Sequence, residues 1–229
     1  MSSAQPAQSQ RLHTATGDLP IEEYRLHVAD REWRIMHTGA ILTFEDEQRL
    51  LSETNRPPYG VVLWPSAIAL AHEIGLRADV FRERSVLELG AGTGLPGIVA
   101  ASLGAQVVQT DKHELTLTVC QGNGRVNGID SIEYRLADWA HWEGRRRYDW
   151  IVGADVLYSE AMHPHLRRIF DSRLAPGGRI LLADPFRSAS LRLLEALEKV
   201  GWRIVMTKWN VGEEGAPRPV GVFELTPPD

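Results

Sequence analysis

Val86-Leu87-Glu88-Leu89-Gly90-Ala91-Gly92-Thr93-Gly94-Leu95 passes from an apolar, strand-like run into a helical one through glycines at alternate positions. A turn of that kind lets the backbone come close to a ligand at the carboxyl edge of a sheet, where open α/β folds bind nucleotides. The amides at the start of the following helix favour negative charge. A glycine turn alone names no ligand, so its surroundings have to be read with it.

Downstream of residue 85, short β-rich runs alternate with helical patterns. Strands are expected at Ser85 to Leu89, Gln106 to Thr110, Ile132 to Arg135, Asp149 to Gly153, Arg179 to Ala183, Trp202 to Thr207 and Val220 to Leu225. Helices are expected around Pro96 to Leu103, Glu114 to Gly124, Met162 to Arg173 and Ser188 to Val200. The alternation predicts an α/β fold: a doubly wound, mostly parallel, seven-stranded Rossmann-like sheet with helices on both faces. Ala175-Pro176-Gly177-Gly178 is expected to form a turn ahead of the strand at Ile180.

Upstream, the alternation of polar and apolar residues in Glu23 to Val28 and Glu32 to His37, on either side of Ala29-Asp30-Arg31, predicts a β-hairpin. Residues 39–60 carry Pro57-Pro58 and read as a crossing segment with a helical stretch around Glu45 to Ser52. From Trp64-Pro65-Ser66 onward, Ile68, Leu70, Ala71, Ile74 and Leu76 recur near helical spacing, and proline is comfortable in a first turn. The chain therefore divides into a disordered tail over 1–17, an extension with a hairpin over 18–62, and the main domain over 63–229.

A chain of 229 residues with 43% hydrophobic residues can enclose one sizeable core. Its formal net charge of -5 argues against a nucleic-acid partner, and Arg145-Arg146-Arg147 reads as a solvated loop. The tail has no apolar run, so it resembles neither a signal peptide nor a membrane anchor. Cys120 is the only cysteine, which excludes an intrachain disulfide and points to a reducing, cytoplasmic setting. His163-Pro164-His165 lacks a third ligand nearby, so no metal is expected.

Gly92-Thr93-Gly94-Leu95-Pro96-Gly97 also satisfies the dinucleotide pattern G-x-G-x-x-G. Asp111, at the end of the second strand of the main domain, lies about 20 residues on in either frame, where an acid that grips ribose hydroxyls belongs. Glu88 separates the two readings. It sits two residues before Gly90 and would aim an acid at the ligand, which suits an ammonium group and repels a pyrophosphate.

Glu88 to Gly94 resembles the E/D-x-G-x-G-x-G signature of the class I, seven-strand S-adenosylmethionine-dependent methyltransferases. That resemblance implies S-adenosylmethionine as cofactor, held by Glu88, Gly90, Gly92 and Gly94, with Asp111 on the ribose. Ala137-Asp138-Trp139 is similar to the family's adenine segment, which assigns Asp138 and Trp139 to the base. Asp155-Val156-Leu157-Tyr158 resembles the D-x-x-Y motif of a smaller branch, the seven-strand lysine methyltransferases that modify proteins, which includes the enzyme acting on the β-subunit of electron-transfer flavoprotein. Pro58-Tyr59-Gly60 and Leu63-Trp64-Pro65-Ser66 resemble the same branch, and Trp64 is thereby a candidate cofactor contact, with plain core packing as the alternative.

The chemistry is an in-line displacement in which a lone pair attacks a sulfonium methyl group. Asp155 is the candidate to accept a hydrogen bond from the amine and orient its lone pair. Tyr158 is the candidate for a second hydrogen bond and an aromatic wall. Competing assignments are a cap or cofactor contact for Asp155 and a core aromatic for Tyr158. The expected acceptor is a protein lysine. A small amine or heterocycle of the nicotinamide kind remains the alternative within the same chemistry, because a fold does not fix an acceptor. A nicotinamide-dependent oxidoreductase is opposed by Glu88.

Overall fold

The computed structural model describes residues 10–14, 17–28, 30–39, 59–212 and 217–228. Among them, the first three strands are β1 (Gln10–Thr14), β2 (Gly17–Val28) and β3 (Arg31–His37), followed by helices α1 (Pro65–Gly75) and α2 (Ala78–Phe81). Then come β4 (Ser85–Leu89), α3 (Leu95–Ser102), β5 (Gln106–Asp111), α4 (Glu114–Val126), β6 (Glu133–Leu136) and β7 (Tyr148–Ala154). The chain closes with α5 (His163–Arg173), β8 (Leu174–Asp184), α6 (Ser188–Lys199), β9 (Arg203–Val211) and β10 (Arg218–Thr226).

Alternate side chains of the central strands enter two different apolar layers. Val86, Val107 and Val152 join the layer under α1 and α3, whereas Leu87, Val108 and Ile151 join the layer under α5 and α6. Residues two apart share one face of a pleated strand, so the near-continuous apolar runs mean a sheet covered on both sides. The seven strands lie in the order β6-β5-β4-β7-β8-β10-β9. Those from β6 to β8 pair in parallel, and β10 is antiparallel to both β8 and β9. The chain order reverses between β4 and β7, and in open α/β sheets a ligand binds at the carboxyl ends of the strands beside such a reversal.

The hairpin is present, with Val28 opposite Arg31 across a two-residue connection in which Asp30 lies at φ 61°. Trp33 and Ile35 are fully buried on the first apolar layer, and Trp33 Nε1 donates to Val28 O at 3.1 Å. Two asparagines on and just past α4 then act as a strand partner for β3. Asn123 Oδ1 accepts from Met36 N at 2.7 Å while its Nδ2 donates to Met36 O at 3.0 Å. Asn127 does the same for Arg34, at 3.0 and 2.8 Å. Their spacing of four puts both amides on one helix face, matched to backbone groups two apart on the strand. Asn123 Nδ2 also donates to Thr93 O at 2.9 Å, which ties the N-terminal sheet to the glycine turn.

Three expectations are corrected or bounded. The tail expected through residue 17 is ordered in part, since Gln10–Thr14 pairs antiparallel with residues 17–21 of β2. Ala175 to Gly178 is not a turn outside the strand. The pairing steps from Tyr148 opposite Leu174 to Trp150 opposite Arg179, so these residues form a bulge inside β8, with Gly177 at φ 73°. The helical stretch expected around Glu45 to Ser52 lies outside the described residues.

Candidate active site

The glycine turn leaves β4 with Gly90 at φ 61° and Gly92 at φ 57°, a region that costs a residue with a Cβ free energy. Space for a side chain there is tight as well. A Cβ on Gly90 would stand 3.2 Å from the Trp139 ring and 3.1 Å from Val156, and one on Gly92 would stand 3.3 Å from Gly60 O. Trp139 thus lies against the turn, as an aromatic wall on its β6 side. Asp111 closes β5 beside it, with Oδ2 accepting from Gly92 N at 3.4 Å and Oδ1 from His113 N at 3.1 Å. Burial pushes its carboxyl up, and those two amides pull it back.

Glu88 lies at the back of this cradle, 1% exposed. Its Oε2 accepts from Gly97 N at 3.1 Å and from Gln109 Nε2 at 2.6 Å. The same Gln109 nitrogen donates to Gly94 O at 2.8 Å, and Gln109 Oε1 accepts from Cys120 Sγ at 3.0 Å. Burial, little offset by these bonds, pushes Glu88 up to about 8. The Glu88 carboxyl lines the groove, and its Oε2 also braces the turn against α3 and β5. Asp138 is likewise engaged. It caps a single 3-10 turn by accepting from Ala140 N at 2.9 Å, and it meets His141 Nδ1 at 2.9 Å, the contact that lowers its carboxyl most.

The groove between the turn and α1 is lined by Val62, Trp64, Ala67, Pro96 and Ala154 together with the glycines and Glu88. Trp64 sits at the amino end of α1 and packs on Val62. Among the described lining residues there is an acid and no Lys, Arg or His. That lining suits a ligand carrying ammonium and sulfonium charge and an aromatic base better than a pyrophosphate. The residues therefore fit S-adenosylmethionine. A larger hollow of about 460 Å³, between Gly104, Gln106, Glu133 and Arg146, lies at the amino ends of β5 and β6 and contains none of these groups.

Asp155 stands one strand further along the same edge, just past β7. Its N–H donates to Ala183 O at 2.9 Å and its φ is 57°, a strained conformation for a residue with a Cβ. Oδ1 pairs with the guanidinium of Arg187, whereas Oδ2 is buried without a hydrogen-bond partner among the described residues. Burial raises the Asp155 carboxyl, and Arg187 together with the hydroxyl of Ser66, a buried residue near the start of α1 that faces Asp155, lowers it. Tyr158 is 54% exposed at the rim. The intervening Leu157 is pinned through its carbonyl by His163 Nε2 at 3.0 Å.

Sequence reading missed Arg187, and it quoted Ser66 without giving it a role. The available signal was Asp184-Pro185-Phe186-Arg187, a charged pair at the end of a strand next to the switch point. Phe186, between them, is also left-handed, at φ 64°.

A seven-stranded sheet with one reversed strand, a glycine turn after its first central strand and an acid ending the next is the architecture of the class I methyltransferases, whose cofactor is S-adenosylmethionine. Within that class the chain belongs to the lysine methyltransferase family, whose sequence profile matches residues 44–199. It is 37% identical over 131 residues to the protein N-lysine methyltransferase METTL21A of Xenopus tropicalis, which covers 55% of this chain and 60% of that protein. It is 34% identical over 106 residues to the histone-arginine methyltransferase METTL23 of Rattus norvegicus, covering 44% of this chain and 47% of that one. The chain thus spans about half to two thirds of the curated relatives it matches. A solved complex of DhpI with S-adenosylhomocysteine superposes with a TM-score of 0.53 at 25% identity, over 71% of this chain and 85% of that one.

Proposed function

We propose that this chain transfers the methyl group of S-adenosylmethionine to the side-chain amine of a lysine in a protein. The observation that carries the reading is the buried Asp155 carboxylate at the carboxyl edge of the sheet, one strand from the glycine turn, with one oxygen held by Arg187 and the other facing only the Ser66 hydroxyl among the described residues. One oxygen serves an amine N–H. A guanidinium presents a planar fork that a carboxylate accepts with both oxygens, and here Arg187 already holds the other. The corner therefore favours lysine over arginine as acceptor.

In this reading Asp111 holds the ribose hydroxyls, Gly90, Gly92 and Gly94 leave room for the methionine part, and Glu88 faces its ammonium group. Trp139 and Asp138 flank the base, and Trp64 forms the wall under α1. The bound cofactor supplies an electrophilic methyl carbon. Asp155 accepts a hydrogen bond from the neutral amine and so aims its lone pair, while Tyr158 lines the mouth through which an apolar lysine stem threads. The amine gives its proton to solvent on the way in. A cytoplasmic location accompanies this reading, supported by the lone Cys120, which is buried and bonded to Gln109.

The test is transfer of tritium from labelled S-adenosylmethionine to cell-lysate protein, followed by protease digestion, acid hydrolysis and amino-acid analysis. Label is expected in methyllysine. Label in molecules of metabolite size before digestion, or in methylarginine after hydrolysis, overturns the proposal.

A further inference from the structure

Arg187 is the cation that pairs with Asp155, and the structure builds it in from several sides. Its own N–H donates to Asp184 Oδ1 at 2.8 Å, and its guanidinium bridges Asp155 Oδ1 and Asp184 Oδ2, the latter at 3.2 Å. Ser190 Oγ donates to Asp184 Oδ2 at 2.6 Å, so the fully buried Asp184 is fixed before it fixes Arg187. The charged and polar groups that face Asp155 are Arg187 and Asp184 from the end of β8 and Ser66 from α1. Asp155 is consequently restrained by Arg187 through one oxygen, while the other is buried and faces Ser66.

We propose that Arg187 is a positioning residue for methyl transfer: it anchors Oδ1 of Asp155 so that Oδ2 alone meets the amine, and it places a positive charge beside that carboxylate. The inference rests on the lysine-directed reading given above. A single fixed oxygen defines one direction for the amine N–H, which is the geometric condition for aiming a lone pair. Burial raises the Asp155 carboxyl, Asp184 raises it further, and Arg187 is the main group opposing both. Without the guanidinium, two adjacent buried carboxylates share a corner, and one of them takes up a proton. A protonated Asp155 no longer serves as the acceptor. Loss of Arg187 is then a defect that alkali repairs.

Turnover of lysate protein with tritiated S-adenosylmethionine is followed from pH 6 to pH 9.5 for wild type, Arg187→Gln and Arg187→Lys, alongside calorimetric titration with S-adenosylhomocysteine and thermal melts. Arg187→Gln is expected to lose at least tenfold in kcat at pH 7, with the deficit shrinking steadily toward pH 9.5 and cofactor-product affinity within twofold of wild type. Arg187→Lys, which keeps the charge, is expected to keep the wild-type midpoint. A deficit independent of pH, no deficit, or a parallel loss of affinity overturns the assignment. If Arg187→Gln does not fold, a midpoint displaced by half a unit or more in Arg187→Lys overturns it, and an unmoved one supports it. A wild-type chain that labels no lysine overturns the functional reading itself, whereas labelling by wild type matched at every pH by Arg187→Gln overturns only the role of Arg187.

Discussion

The cofactor cradle and the acceptor corner lie one strand apart on the same edge of the sheet, and they are built in opposite ways. In the cradle Gln109 uses both its nitrogen and its oxygen in hydrogen bonds, and Asp111 uses both oxygens. The left-handed positions of its turn are glycines. In the corner, Asp155 Oδ2 and Ser66 Oγ are buried with no partner but each other among the described residues, and the left-handed positions are Asp155 and Phe186. Each such residue costs of the order of 1 to 3 kcal/mol. A satisfied cradle stabilises the fold whether or not a ligand is bound. A strained, half-satisfied corner does not, and its polar groups are the ones an incoming amine can complete.

Substitutions separate the two regions, and the largest effect belongs to the cradle's packing. A Cβ on Gly97 collides with the Glu88 carboxylate and the Gln109 amide, so Gly97→Val is expected to lower the unfolding free energy by about 3 kcal/mol. Urea titration measures it, and a loss under 1 kcal/mol means the network beneath the turn is looser than described. Next comes Asp155→Asn, expected to reduce kcat about 100-fold, the scale of a positioning defect, with S-adenosylhomocysteine affinity within twofold and stability unchanged or raised. Should affinity fall as far as kcat, Asp155 belongs to the cradle and the contrast collapses. Asn123→Ala strips hydrogen bonds from Met36 and Thr93, and about 2 kcal/mol of stability should go with them. Amide exchange should then accelerate across β3 more than across β7, and uniform acceleration would mean the asparagine clamp is not local.

The same contrast explains what could be read from the chain. The cradle is almost contiguous, from Glu88 to Gly97 with Asp111 closing the next strand, so spacing alone brings its parts together. The central strands were legible because Val86 and Leu87, or Val107 and Val108, feed opposite apolar layers at a period of two. The corner joins residues 32 apart, and only the order of β7 and β8 makes Arg187 a neighbour of Asp155. Asn123 and Asn127 were silent for a related reason: polar residues near a helix end ordinarily read as solvated, and their partner is a strand some 90 residues earlier. The bulge in β8 escaped because proline and two glycines in a row signal a turn, while β7 still finds backbone groups on either side to pair with.

At pH 5 Glu88→Gln has the smallest effect, near zero, and its growth with pH tests whether the cradle is as closed as its bonds imply. Gln keeps an oxygen for the Gly97 amide and the Gln109 amide but cannot ionise. The native carboxyl titrates at about 8, pushed up chiefly by burial, against 4.5 for the ordinary group. Between those values the folded protein holds a proton that the unfolded chain has released. Its stabilising contribution is therefore complete below about pH 4.5 and is lost as pH rises toward 8, with a slope of up to about 1.4 kcal/mol per pH unit. The variant should show a flatter stability curve across that window and pull ahead of wild type as pH rises. Ligand binding shifts the same proton. An ammonium group placed against Glu88 favours the ionised carboxylate, so S-adenosylhomocysteine should release a proton on binding to wild type at pH 7, and its affinity should climb with pH until about 8. Titrations in buffers of different ionisation enthalpy count that proton. A wild type that releases none, with Glu88→Gln binding equally well at every pH, would leave Glu88 as a brace for the turn alone and assign the ligand's ammonium to another partner.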